Sequence, residues 1–151
     1  MISLALYQPD IPQNVGAAMR LCACLGAELH IIEPCAFPWD DRKIKQAAMD
    51  YVTKVNYNRF ISWERYRTTW KDRRVILMTT KTQTRYTEFA FRPDDILLAG
   101  SESAGVPESV HQACMGCVTI PLQPALRSFN VINASAMILG EALRQTQWRT
   151  P

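Results

Sequence analysis

The sequence predicts an α/β fold, a mostly parallel sheet flanked by helices. Three observations carry this. Short apolar runs alternate with segments of helical length and pattern along the whole chain. That alternation demands right-handed β-α-β crossovers and therefore parallel strands. Finally, 151 residues with 48% hydrophobic and 21% charged content suit one buried core. No repeat, linker or low-complexity segment interrupts them, so residues 1–151 read as a single domain.

Ser3-Leu4-Ala5-Leu6-Tyr7 predicts the first strand. Pro9 and Pro12 force a loop after it, and Asn14 is placed as N-cap of a helix over Val15–Leu25 that Gly26 ends. Glu28–Ile32 predicts a second strand, closed by Pro34. A helix over Asp41–Asp50 and a short strand over Val52–Val55 follow. Ser62 is placed as the cap of a helix running to Lys71. Arg74–Met78 and Asp95–Ala99 predict two further strands. Pro107 suits the first turn of a helix running to about Cys114. Cys117–Ile120 predicts the last strand, and Val131–Gln145 the last helix.

Composition excludes several classes. No apolar run reaches the roughly 18 residues of a membrane helix. Met1-Ile2-Ser3-Leu4 has no basic leader, and five cysteines are an odd number, so reduced thiols in a cytoplasmic protein are expected. The net charge of +3 and pI of about 8.7 permit a polyanionic partner without requiring one. Ten of the 17 Lys and Arg residues fall between Arg42 and Arg74, interleaved with Tyr51, Tyr57, Phe60, Trp63, Tyr66 and Trp70. Such a run is either a solvated face with core aromatics or an RNA-binding surface.

Familiar chemistries fall away on inspection. Gly100–Gly105 has the glycine spacing of a P-loop, but Val106 replaces the lysine. No G-x-G-x-x-G follows the first strand. Cys22 and Cys24 lie about 200° apart on a helix, which argues against one zinc ion held with Cys114 and Cys117. His30 reads as a core residue within an apolar strand, and His111 lies among polar helix neighbours. Neither supports a nucleophile-histidine-acid arrangement.

Three stretches carry more. In Asn14-Val15-Gly16-Ala17-Ala18-Met19-Arg20, small residues permit close approach, and Arg20 is an isolated base that is either snorkelling or functional. Gly100-Ser101-Glu102-Ser103-Ala104-Gly105-Val106-Pro107 sits where a buried strand meets a helix, and reads equally as a plain turn or a ligand loop. In Ile120–Ala136 an irregular loop holds Arg127, Ser128 and Asn130. Ser128 or Asn130 is a candidate cap, though capping alone does not explain all three.

Together the stretches resemble the motifs of the SpoU branch of the SPOUT RNA methyltransferases, N-x-G-x-x-x-R, G-x-E-x-x-G-x-P and I-P-(loop)-R-S-x-N-x-x-x-A, in the family's order. Tyr7–Asn14, Leu29–Pro34, Phe37-x-Trp39-Asp40-Asp41 and Asp50-Tyr51 resemble the subfamily that methylates the ribose 2′-oxygen of the tRNA wobble nucleotide. The resemblance covers nearly the whole chain.

It implies a C-terminal deep trefoil knot that binds S-adenosyl-L-methionine, with no metal. It also implies a homodimer whose site is completed across the interface, and the tRNA anticodon stem-loop as substrate. Met78, Gly100, Ile120, Leu122, Leu126 and Ser128 are the implied cofactor residues. Arg20, Asn14, Glu102, Ser128 and Asn130 are the implied catalytic set, with Arg20 acting on the 2′-oxygen. Guanidinium pKa values above about 12 favour charge stabilisation or phosphate-assisted proton removal over direct base chemistry. The alternatives within the resemblance are ribose methylation elsewhere in tRNA or rRNA, and an RNA-binding protein without turnover. The chain departs from the family at Gly140, where an aromatic is common, at Ala104, where Arg occurs, and in the apolar Pro124-Ala125-Leu126. Gly140 costs about 1 kcal/mol of helix propensity against Ala.

Overall fold

A computed structural model describes residues 1–126 and 129–146. Six strands form one parallel sheet: β1 (Ser3–Tyr7), β2 (Glu28–Ile32), β3 (Tyr57–Phe60), β4 (Val75–Met78), β5 (Ile96–Ala99) and β6 (Gly116–Val118). Their order across the sheet is β3-β2-β1-β5-β4-β6. The helices are α1 (Pro12–Leu25), α2 (Asp41–Ala48), α3 (Trp63–Thr69), α4 (Glu108–Ala113) and α5 (Val131–Thr146), with one-turn 3₁₀ helices at Met49–Thr53 and Tyr86–Glu88.

The period-2 geometry of a strand explains the two cores. Leu4, Leu6, Leu29, Ile31, Ile76 and Leu97 pack with Val15, Met19, Ile44, Ile138 and Leu139, so α1, α2 and α5 cover one face. Ala5, Tyr7, Val75, Leu77, Ile96 and Leu98 point the other way, against Tyr66 of α3 and Val110 of α4. Burial on both faces is why these strands read as continuous apolar runs. Gly16 lies where α1 crosses α2: a Cβ there would stand 2.5 Å from the Ala47 carbonyl carbon. Gly26 ends α1 in the left-handed region at φ 70°, which favours glycine.

Three local expectations are corrected. Helix α1 begins at Pro12, and Ile11, not Asn14, occupies the N-cap without a side-chain bond. Proline needs no N–H partner in the first turn, so the helix starts there and Asn14 is free for another role. The expected strand at Val52–Val55 is instead the 3₁₀ turn ending at Thr53 plus a plug, Val55, buried in the core. Its β-branched residues serve packing, and the third strand lies five residues later, at Tyr57–Phe60. That strand pairs on one side only, with β2, and exposes Asn58 and Arg59. The last strand ends at Val118. Beyond it Thr119 leaves β4 and bonds to the loop at Thr84–Tyr86. The other elements agree within a few residues, and Ser62 caps α3 through Arg65 N at 3.1 Å.

The basic run divides. Arg74 makes a bidentate pair with fully buried Asp95 at 2.7 and 2.8 Å. Arg73 binds Met1 and Asp94 carbonyls and Ser3 Oγ, and Arg67 donates to the Trp70 and Arg73 carbonyls. Arg59 pairs with Glu33, and Lys54 with Asp50. Arg42, Lys43, Lys45, Arg65 and Lys71 are exposed without such partners among the described residues. The aromatics mostly pack inward. His30 is fully buried, its Nδ1 2.8 Å from the Tyr66 hydroxyl and its ring stacked on Trp70. Burial first, then the Arg73 charge, pushes its pKa down to about 4.

Candidate active site

The carboxyl ends of β4, β5 and β6 open into a cavity of about 770 Å³, within the usual range for a small-molecule site. This is the edge where open α/β sheets place ligands. Met78, Gly100, Ile120 and Leu122 line it, as do Val106 and Ile138 on apolar walls and Thr79 and Ser101 on polar ones. The loop after β5 closes on itself: Ser101 N donates to Gly105 O at 3.0 Å and Gly105 N to Ser101 O at 2.9 Å. A Cβ on Gly100 would stand 2.7 Å from the Gly105 backbone, and Gly105 has φ 64°, so both glycines are needed for this turn.

At the mouth of the cavity a directed chain of hydrogen bonds joins all three motifs. Asn130 Oδ1 accepts from Ile132 N at 2.8 Å and Asn133 N at 3.2 Å, capping α5. Its Nδ2 donates to Asn14 Oδ1 at 3.3 Å. Asn14 Nδ2 then donates to Glu102 Oε1 at 3.0 Å, and Glu102 Oε2 accepts from Asp10 N at 2.9 Å. The backbone amides of α5 fix which end of Asn130 is the donor. That choice orients Asn14, and the chain ends on a carboxylate that accepts at both oxygens. Asn14, Glu102 and Asn130 all line the cavity.

Asp10 is a part of this site that the sequence reading gave no role. Its Oδ2 accepts from Ser103 N at 3.1 Å, tying the β1–α1 loop to the β5 loop. Burial opposes its charge, but hydrogen bonding with Ser103 and Glu102 outweighs that and holds the carboxyl below its ordinary value. The only local signal was an acid between two prolines; its partner lies 93 residues away.

Not every expected residue converges. Arg20 lies six residues beyond Asn14, about 9 Å along α1 and about 240° around it. It is exposed, off the cavity wall, with its guanidinium 5.3 Å from the Tyr51 ring centroid. Leu126 is 66% exposed and also outside the wall. Ser128 lies outside the described residues. Ala104 is on the cavity rim, and the space beside Gly140 is open.

No group of three or more metal-ligating side chains occurs among the described residues. Burial raises the thiol of Cys22 to about 12 and those of Cys35 and Cys114 to about 11, as expected of packed, protonated cysteines.

Residues 1–140 match the SpoU rRNA Methylase family. The chain belongs to that family. Among relatives of this SpoU chain, a tRNA (cytidine(34)-2′-O)-methyltransferase of Beijerinckia indica is 57% identical over 145 residues, covering 94% of this chain and 90% of that protein. A solved structure described as giving insights into the 2-OH methylation of C/U34 on tRNA superposes with a TM-score of 0.89 at 36% identity, covering 96% of this chain and 95% of that one. The fold extends to the SpoU methyltransferase AviRb of Streptomyces viridochromogenes, solved with AdoMet. There the TM-score is 0.84 at 24% identity, over 95% of this chain and 59% of that one. The SpoU chain thus shares its six-stranded parallel sheet and flanking helices with these structures.

Proposed function

We propose that this SpoU protein is a tRNA methyltransferase that transfers a methyl group from S-adenosyl-L-methionine to the ribose 2′-oxygen of the wobble nucleotide. One observation carries the reading: the Asn130–Asn14–Glu102 chain lies at the mouth of a strand-end cavity, in a protein 57% identical to a tRNA (cytidine(34)-2′-O)-methyltransferase.

The residues present fit the cofactor. Apolar Val106, Ile120, Leu122 and Ile138 suit a flat base, Thr79 and Ser101 suit a ribose, and the Glu102 carboxylate at the mouth favours a cationic sulfonium. Met78, Gly100, Ile120 and Leu122 would hold it, and the family resemblance adds Leu126 and Ser128. When bound, the cofactor supplies an electrophilic methyl group. Asn14, Glu102 and Asn130 position the ribose at the mouth, and the resemblance assigns Ser128 to the same set. Arg20 stabilises the oxyanion that develops as the 2′-hydroxyl passes its proton to a phosphate oxygen of the tRNA, the role a guanidinium performs best.

Because Arg20 points away from the cavity of its own chain, a complete site takes Arg20 from a second copy. On this reading the protein acts as a homodimer. Exposed Ile11 and Phe129 at the cavity edge and Met137 on α5 offer apolar surface for that contact. On this reading the C-terminal part forms a trefoil knot; the strand order, in which β5 and β6 flank β4, and the packing of α5 on α1 and β5 are compatible with it. Residues 1–151 act as one domain, without metal, in the cytoplasm, where tRNA is modified; among the described residues no helix is long and apolar enough to cross a membrane.

The family description, which names rRNA, motivates the second reading, ribose methylation of ribosomal RNA. Titration calorimetry with S-adenosyl-L-methionine, followed by transfer of labelled methyl to purified tRNA and rRNA, tests both. Binding of the cofactor without added metal and label in tRNA alone is the expected result. Label in rRNA alone, or binding of NAD in its place, would overturn the proposal. Sedimentation as a monomer at micromolar concentration would remove the dimeric site.

A further inference from the structure

We propose that Tyr51 is a positioning residue for Arg20, its ring face fixing the guanidinium while leaving the N–H donors free for the substrate. The inference rests on the catalytic role assigned to Arg20 above. Among the described residues the Arg20 guanidinium makes no hydrogen bond and no ion pair; the Tyr51 ring, 5.3 Å from Cζ, is its one polar-type contact. A carboxylate partner would take two of the five donors in a fork and spread the positive charge. A ring face attracts the same cation through its quadrupole and takes none.

A carboxylate adjoins the ring in sequence and is paired elsewhere. Asp50 adjoins Tyr51, and its carboxyl is held below the ordinary value chiefly by its bond to Lys54, with Arg20 a lesser influence. It bonds Lys54 Nζ, at 3.3 Å, one turn along the same segment. Tyr51 itself is held from both sides. Before it, Met49 turns the chain at φ 55°, in the region that disfavours side chains, directly after buried Ala48. After it, the Tyr51 carbonyl accepts from Lys54 N at 3.0 Å and Val55 N at 3.1 Å, and Val55 is buried in the core. The segment packs on α1, which carries Arg20. Backbone strain is accepted at Met49, and the half-buried ring is delivered to the one arginine of α1.

The test is a cycle of Tyr51→Met, Tyr51→Phe and Arg20→Ala, read by single-turnover methylation at saturating tRNA and cofactor. Tyr51→Met keeps bulk but removes the ring and should slow the step by about tenfold or more, because a mobile guanidinium loses its orientation. Tyr51→Phe should stay within about twofold. In the Arg20→Ala background Tyr51→Met should cost nothing further; a merely structural role would slow both backgrounds equally. Cofactor affinity should not move. A second readout is independent of activity: the Arg20 Nε–Hε resonance should carry a ring-current shift that persists in Tyr51→Phe and vanishes in Tyr51→Met. An unchanged rate in Tyr51→Met, an equal loss in Tyr51→Phe, additive losses, or a resonance indifferent to the ring would each overturn the inference. Inactive wild-type protein with the expected ring-current shift would fault the functional reading instead.

Discussion

Replacing Glu102 by Gln tests whether the hydrogen-bond chain at the cavity mouth is as directional as its geometry implies. Both Glu102 oxygens accept, from Asp10 N at 2.9 Å and from Asn14 Nδ2 at 3.0 Å. An amide offers one acceptor, so one of those donors must face another donor. Flipping Asn14 moves the conflict to Asn130 Nδ2, and Asn130 is unable to flip because its Oδ1 caps the amides of Ile132 and Asn133. One charge-assisted bond is lost, about 1.5–3 kcal/mol. In a chain of this size that lowers Tm by about 3–12 °C. If the same energy orients the ribose, the single-turnover rate falls by about 10- to 100-fold. Adding Asn14→Asp to Glu102→Gln restores an acceptor between two donors and should recover most of the lost Tm, whereas Asn14→Asp alone sets two carboxylates together and destabilises. Differential scanning calorimetry of the four proteins decides the matter. A Glu102→Gln protein melting within 1 °C of wild type, or a double variant no better than the worse single one, would refute the reasoning.

Other outcomes follow from the same structure. His30 has a folded pKa near 4, below its unfolded value, so the unfolded chain binds more protons between about pH 6.5 and 4 and stability is lost as pH falls through that window. Urea melts should show up to about 3 kcal/mol of loss from this group, and its imidazole should remain neutral by NMR at pH 5. Lys43→Gln with Lys45→Gln should weaken tRNA binding and reduce its salt slope by about one unit per lost phosphate contact, with Tm unchanged; Arg67→Gln should instead lower Tm, since its guanidinium holds the carbonyls after α3. Arg20→Ala should cut kcat strongly and leave cofactor affinity intact. Mixed with Glu102→Gln chains it should recover activity at about a quarter of the sites, because half the dimers pair one intact cavity with one intact Arg20; no recovery in an exchanging mixture would place Arg20 within its own chain.

What was legible in the sequence follows burial. Strands β1, β2, β4 and β5 are buried on both faces and so stand out as apolar runs. β3 is an edge strand whose exposed Asn58 and Arg59 dilute its pattern, while Val52 and Val55 advertise a strand but pack as part of a turn. Asn14 illustrates a different ambiguity. Its residue type suits an N-cap and a hydrogen-bonding network equally, and only Glu102, 88 residues away, decides between them. The three motifs were visible because each is local. Asp10 was not, since its importance lies in a bond to Ser103, and the choice between an outward and an inward Arg20 needs the elements packed around α1. The basic run reads as one block in sequence, yet backbone carbonyls and buried Asp95 engage three of its ten members, Arg67, Arg73 and Arg74, through bonds that no local pattern announces.

The central claim is that a ribose oxygen at one tRNA position receives the methyl group. Nuclease mapping by mass spectrometry of tRNA treated with the protein and methyl-labelled S-adenosyl-L-methionine tests it most directly. The expected product is a single 2′-O-methyl group on the wobble nucleotide, absent when Arg20→Ala protein is used. A methylated base, a label outside the anticodon loop, or equal labelling by the Arg20→Ala protein would contradict it.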